Sequence, residues 1–258
     1  MRIRVLAIGD VTGKSGVGVL AKHLKSMQAD MNIDFTVVNG ENADVIGARP
    51  QQIRQIFEAG ADVVTLGNHT FRKADIIPML DEEYRLLRPA NYAPQAPGRG
   101  YGVYNLDGPT VLVVSLIGRV FMDVGPDNPF FEIDRILKRT GADIRLVDFH
   151  AEATSEKLAM ANYLDGRVSA LWGTHTHVQT SDECVLSGGT GYITDIGTTG
   201  PRNSVLGVDP AQSVSRFLGN PPEFYKSAEG PCKVEGAVFT VNTLTSLCES
   251  VERVRIDD

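Results

Sequence analysis

Short apolar runs alternate with helical spacings along the first quarter of the chain. Residues 4–9 read as a strand, residues 18–29 as a helix with apolar positions at Leu20, Leu24 and Met27, and residues 35–38 as a second strand. Pro50 opens a helix through Ile53, Ile56 and Phe57 that Gly60 stops, and residues 63–66 form a third strand. This β-α-β-α-β rhythm predicts a largely parallel sheet covered by helices. Further on, residues 111–116, 144–149 and 168–172 read as buried strands, with helices over 131–139 and 155–164. Strand candidates at 191–194, 236–241 and 251–256 make the tail β-rich, consistent with a second sheet packed on the first. Pro221-Pro222 and Gly230-Pro231 mark loops rather than a boundary, so one domain spanning residues 1–258 is expected.

Composition narrows the class. A hydrophobic content of 42% in 258 residues is enough for one sizeable core. The formal net charge of -7 argues against an extended nucleic-acid surface or attraction to acidic lipid. A small anionic substrate remains compatible, because bound metal ions reverse the local field. The first residues read at once as a buried strand and no apolar run is long enough for a bilayer, so neither a secretory signal nor a membrane span is expected. Cys184, Cys232 and Cys248 form no CxxC pair and predict reduced structural thiols in a cytoplasmic protein. A homo-oligomer stays open.

Five segments share one arrangement: an apolar strand ends and polar, metal-type donors follow. They lead to Gly9-Asp10, Gly40-Glu41-Asn42, Gly67-Asn68-His69, Asp148-Phe149-His150 and Gly173-Thr174-His175-Thr176-His177. In open α/β sheets, ligands bind beyond the carboxyl ends of the strands, so these five ends are expected to meet in one crevice. Four of the five histidines (His69, His150, His175 and His177) fall in these segments, whereas His23 lies inside a predicted helix and reads as a surface residue. On an extended strand end His175 and His177 would face the same side. Imidazole with carboxylate and amide oxygen suits iron, manganese or zinc, and the absence of thiolate pairs disfavours a structural zinc knot. Individually the bland readings hold: Asp10 as a helix cap, Glu41-Asn42 and Asn68-His69 as turns. They do not explain the five clusters together.

In order along the chain, Asp10, Glu41-Asn42, Gly67-Asn68-His69, His150 and Gly173-Thr174-His175-Thr176-His177 resemble the motif set of calcineurin-like metallophosphoesterases. Gly9-Asp10-Val11-Thr12-Gly13, Asn39-Gly40-Glu41-Asn42 and Gly67-Asn68-His69-Thr70-Phe71 are similar to the YmdB-like branch, which acts on 2′,3′-cyclic nucleotides and other phosphodiesters. The resemblance implies an α/β fold, a four-layer α/β/β/α sandwich of two mixed sheets flanked by helices. It implies two metal ions, iron or manganese with zinc as an alternative. Asp10, Asn42 and His177 would serve one, Asn68, His150 and His175 the other, and Glu41 would bridge both. A hydroxide between the ions would attack phosphorus, and His69 would act as general acid toward the leaving alkoxide. The chain departs from the broad superfamily where Asp-x-His is Asp10-Val11-Thr12, where the bridging aspartate is Glu41, and where Thr70 follows His69, which leaves the orienting partner of His69 unidentified.

Three competing readings share these residues. Gly9-Asp10-Val11-Thr12-Gly13-Lys14-Ser15 suggests a P-loop, but that motif needs four residues between its glycines and has three here. Lys14 and Ser15 then begin the first helix or line a phosphate site. A phosphomonoesterase could use the same centre, with a small phosphoester as its partner. A catalytically silent metal-bound regulatory protein would not require His69. Residues 198–204 read equally as a phosphate-touching loop or an ordinary surface loop. Phe121, Phe130 and Phe131 flank a Gly/Pro/Asp-rich stretch that could form a lid or stack a base, with core or subunit packing as the simpler role.

Overall fold

The computed structural model describes residues 1–122, 125–221 and 223–258. Thus Pro222, and Asp123 and Val124 within the stretch flanked by Phe121 and Phe130, lie outside the described residues. In chain order the elements are β1 (Arg2–Ile8), β2 (Asp10–Val11), α1 (Gly13–Asp30), β3 (Phe35–Asn39), α2 (Pro50–Ala59), β4 (Val63–Thr65), α3 (Ile77–Glu82) and β5 (Leu86–Leu87). Then follow β6 (Tyr101–Asn105), β7 (Thr110–Ile117), α4 (Pro129–Arg139), β8 (Ile144–His150), α5 (Thr154–Leu164), β9 (Ala170–Thr174), β10 (Cys184–Val185) and β11 (Gly191–Ile193). The chain finishes through β12 (Thr198–Pro201), α6 (Pro210–Phe217), β13 (Cys232–Asn242) and β14 (Cys248–Asp257).

Two mixed sheets result. The first runs β2-β12-β13-β1-β3-β4-β5 with β14 paired to β13, and the second runs β10-β11-β9-β8-β7-β6. The predicted parallel rhythm is present in β1-β3-β4-β5 and in β7-β8-β9-β11. Two expectations need correction. The sheets are mixed rather than largely parallel, because β13 lies antiparallel to β1 and β6 antiparallel to β7. The β-rich tail divides between the sheets: β11 joins the second, whereas β13 and β14 complete the first, pairing Arg2 with Asn242 through Ile8 with Gly236. Local apolar spacing shows that a strand forms but not which distant edge it joins.

Strand alternation divides the core into three slabs. Leu6, Ile8, Val38 and Val64 pack against α1 and α2 through Leu20, Leu24, Ile53 and Ile56. Val5, Ala7, Val37, Val63, Trp172 and Phe239 fill the space between the sheets. Leu112, Val114, Val147 and Phe149 meet Ile133, Ile136, Met160 and Leu164 of α4 and α5. This is the four-layer α/β/β/α sandwich. Strands buried on both faces must read as continuous apolar runs, which is why they were legible. Pro50 at the start of α2 and Gly60 beyond its end, at φ 122°, stand where expected. Among the described residues no helix is long and apolar enough to cross a membrane.

The rings of Trp172 and Phe239 lie 5.5 Å apart across the two sheets. Phe239→Ala should cost roughly 3–5 kcal/mol, as large-to-small changes at buried aromatics do. Because Trp172 is the only tryptophan, its fluorescence reports the space between the sheets while far-UV circular dichroism reports both. In urea the two probes should give one coincident transition, shifted together by Phe239→Ala. Separate transitions would contradict a single domain.

Candidate metal centre

Both sheets end at one seam, and the strand-end donors meet there. Asp10 opens β2, whose partner β12 holds it: Thr198 Oγ1 donates to the Asp10 carbonyl at 2.8 Å. Residues 198–201 are therefore a buried strand, not a loop. Glu41 and Asn42 lie in the turn after β3, where the Glu41 amide donates to Asn39 Oδ1 at 3.1 Å. Asn68 and His69 follow β4, and His150 is the last residue of β8. His175 and His177 follow β9, but not in the extended conformation expected: they have φ of 99° and 61°. Both are held in left-handed backbone, a cost of about 1–3 kcal/mol each for residues with a side chain.

All eight expected site residues come together. His150 Nε2 lies 3.0 Å from Asn68 Oδ1, 3.0 Å from His175 Nδ1 and 3.3 Å from Glu41 Oε1. His177 Nε2 lies 3.2 Å from Asn42 Nδ2 and 3.6 Å from Asp10 Oδ1. Asp10 Oδ2 accepts from the His175 amide at 3.2 Å, tying one group to the other. His69 Nδ1 sits 3.0 Å from Asn42 Oδ1 and 3.2 Å from Glu41 Oε1. Both are acceptors, so the ring carries its proton at Nδ1. Asn42 and Glu41 are thus the orienting partners of His69 that the sequence left unidentified. Asp10, Glu41 and His150 are buried, whereas the His69 and His175 side chains keep about a fifth of their surface. The centre is closed beneath and open on one side.

The donor arrangement fits cations. Thr174 Oγ1 donates to Asp148 Oδ1 at 2.7 Å, so it accepts from His150 Nδ1 at 3.0 Å. In the neutral ring that fixes the proton at Nδ1 and turns a bare Nε2 toward two further acceptors, Glu41 Oε1 and Asn68 Oδ1. Asp10 Oδ1 and Glu41 Oε2 are buried with no hydrogen-bond partner. Buried carboxylate oxygens without partners are costly unless positive charge faces them. At Gly67 a Cβ would fall 2.0 Å from Glu41 Oε2 and 2.3 Å from His150 Cδ2, so only glycine admits this approach. Among the described residues no three His, Cys, Asp or Glu side chains stand as a closed ligand cage. The donors instead contact one another, and two of the eight are amides.

Burial alone would depress His150, but the Glu41 and Asp10 carboxylates beside it raise it to about 9. His177 is likewise raised against its burial by Asp10. Burial opposes ionisation of Asp10 too, yet His177 and His150 hold its carboxyl well below the usual range. His175, buried and beside His150, is pushed down to about 3. Burial also lowers His69, with Glu41 opposing.

Several supporting residues escaped the sequence reading. Asp148, fully buried and pushed up to about 6 by that burial, accepts from Thr65 Oγ1 at 2.5 Å, Asn39 Nδ2 at 3.1 Å and Thr174 Oγ1. It shares a strand face with His150, a signal that alternation offered. Glu152 Oε2 lies 3.1 Å from His175 Nε2. Asp195 follows β11 as the other polar residues follow their strands, and Lys157 Nζ meets it at 2.8 Å. Lys14 and Ser15 begin α1, and Lys14 lines a groove between α1 and α2. His23, read as a surface residue, contacts Asp258 Oδ1 at 2.9 Å. Phe131 is exposed and Phe130 packs on Tyr163, while the exposed Phe121 borders residues that are not described. A cleft of about 850 Å³ lined by Arg88, Arg99, Arg135 and Tyr92 lies beside the centre, but none of the eight donors lines it. Its carboxylates, Asp81, Asp127 and Glu132, offset its arginines.

Comparison with known proteins finds related sequences and structures. The 2′,3′-cyclic-nucleotide 2′-phosphodiesterase of Bacillus subtilis is 40% identical over 99% of this chain and 98% of its own. A crystal structure of a Thermus thermophilus hypothetical protein superposes with a TM-score of 0.94 at 38% identity, covering 99% of this chain and 100% of that one. That of a novel phosphatase from Mycoplasma pneumoniae gives 0.94 at 31% identity, covering 100% of this chain and 94% of that one. The YmdB-like protein family matches residues 6–254, and the chain belongs to that family.

Proposed function

We propose that this chain hydrolyses phosphodiesters with the aid of two bound cations, and that 2′,3′-cyclic nucleotides are its substrate class. At the coarser level it is a hydrolase of phosphoric esters: its relatives include a phosphodiesterase and a phosphatase. The observation that carries the two-cation reading is the convergence of lone pairs at the seam, His150 Nε2 with Glu41 and Asn68, and Asp10 Oδ1 without a partner. Asp10, Asn42 and His177 would hold one cation, Asn68, His150 and His175 the other, with Glu41 shared. Iron or manganese suits these hard oxygen and imidazole donors, and zinc is the alternative. When bound, such a pair supplies an activated water and neutralises the phosphoryl oxygens.

The chain's own residues supply the rest. His69 Nδ1 donates to Asn42 Oδ1, which leaves Nε2 as the free end of a ring that is partly open to solvent. A proton at Nε2 is placed for the leaving alkoxide as the ester P–O bond breaks. Burial lowers the affinity of His69 for that proton, so the negative charge of the bound substrate must recruit it. Phe71, two residues beyond His69 and partly exposed, packs on Tyr92 at 5.6 Å and offers a ring face to a nucleobase. Three unpaired cysteines accord with a reducing, cytoplasmic setting. The monoesterase reading draws on the Mycoplasma pneumoniae neighbour, described as a phosphatase.

Two outcomes are expected. Purified protein given Mn²⁺ should open 2′,3′-cyclic nucleotides faster than it cleaves phosphomonoesters, and a chelator should abolish both. Activity confined to monoesters would contradict the substrate class, and metal retained without turnover would favour a regulatory protein. His69→Ala should slow hydrolysis of a nucleoside diester by about 10²–10⁴-fold, the usual worth of a general acid. The loss should be much smaller for bis-p-nitrophenyl phosphate, whose leaving group needs no proton, and Mn²⁺ content should stay unchanged. Equal losses on both substrates would remove His69 from the acid role.

A further inference from the structure

We propose that the buried Lys157–Asp195 ion pair is a positioning device for His175 and His177, acting through Thr176 between them. The proposal rests on the two-cation reading for its purpose, but its mechanical part stands on contacts within the chain. Lys157 in α5 and Asp195 after β11 are both fully buried, with Nζ and Oδ2 2.8 Å apart. The same Oδ2 accepts from the Thr176 amide at 3.1 Å and from Thr176 Oγ1 at 2.8 Å, while Oδ1 accepts from the Gly197 amide at 2.9 Å. On either side the Ile196 amide donates to the Gly173 carbonyl at 3.0 Å and the Thr180 amide to the Asp195 carbonyl at 3.0 Å. The segment that carries both histidines is thus fastened before, between and after them to one stretch around Asp195.

The fastening matters because of the backbone it holds. His175 and His177 stand at φ of 99° and 61°, where a residue with a Cβ is disfavoured. Released, either would relax toward negative φ and carry its imidazole away from Asp10 and His150. Packing alone does not explain the pair: apolar side chains of the same volume commonly replace buried ion pairs without loss of stability. An apolar residue at 195 would give Thr176 no acceptor. Lys157 also occupies the space beneath Gly173, where a Cβ would fall 2.8 Å from Lys157 Cδ and 1.8 Å from the Thr194 carbonyl. The glycine that precedes the two histidines thus admits the close approach of the Thr194 carbonyl, next to Asp195, with Lys157 packed on the same point.

Thr176→Val removes the hydroxyl arm alone, and Asp195→Asn removes the charge that holds Thr176 and Lys157. Isothermal titration of the metal-free full chain with Mn²⁺ should show affinity reduced by about 10–100-fold in Asp195→Asn, the usual effect of losing a group that orients ligands. Thr176→Val should bind several-fold more weakly than the parent while keeping its melting temperature, and excess Mn²⁺ should restore its turnover. In the metal-free protein the Thr176 amide should be protected from hydrogen exchange, and less so in Asp195→Asn. Should Asp195→Asn fail to fold, Thr176→Val decides. Parental Mn²⁺ affinity in folded Thr176→Val would overturn the proposal, as would an unprotected Thr176 amide in the parent. A parent chain that binds no Mn²⁺ would instead sink the two-cation reading and leave amide exchange to judge the clamp.

Discussion

Two carboxylates, Asp10 and Glu41, are taken out of water at the junction of two sheets, each with one oxygen that has no hydrogen-bond partner among the described residues. An ionised carboxylate is not buried in this way unless positive charge meets it. Around them stand four imidazoles, two amides and, among the described residues, no lysine or arginine within ion-pair distance. The chain therefore leaves its strongest electrostatic demand open toward one side. In the proposed reading cations meet that demand; within the chain Glu41 and Asp10 raise His150, and Asp10 raises His177, against their burial. The supporting hydrogen bonds and the proposed chemistry both follow from this concentration of unshared electron pairs.

Two packed sheets are what make such a cluster possible. One sheet contributes Asp10, Glu41, Asn42, Asn68 and His69, and the other contributes His150, His175 and His177. Their relative placement depends on a polar bridge in an otherwise apolar layer. Asp148 from β8 receives Thr65 of β4 and Asn39 of β3 across the gap, then passes its orientation through Thr174 to His150. Buried polar groups that are fully satisfied specify one arrangement, where apolar packing alone tolerates sliding. The Lys157–Asp195 pair does for the histidine turn what Asp148 does for His150.

Much of this was legible from the chain because the physics is local. The apolar runs of β1, β3, β4, β7, β8 and β9 announced doubly buried strands, and each polar cluster followed a strand end. Strand pairing was not legible: β13 joins β1 across more than two hundred residues, and periodicity carries no information about partners. Nor was the turn at His175 and His177, since no glycine marks either left-handed position and the alternation rule gave an extended pair. Thr198–Pro201 looked like a loop because Gly200 and Pro201 are poor strand formers, yet pairing with β2 and β13 overrides that preference. Asp195 carries the same strand-end signature as the expected ligands but has no histidine beside it in sequence. Lys157 gave no signal at all, because its role depends on burial.

The most direct test is anomalous diffraction from a crystal of the full chain grown with Mn²⁺. Two peaks are predicted, one against Asp10, Asn42 and His177 and one against Asn68, His150 and His175, with Glu41 reaching both. An absence of peaks, with His150 Nε2 still in contact with Asn68 and His175, would contradict the account.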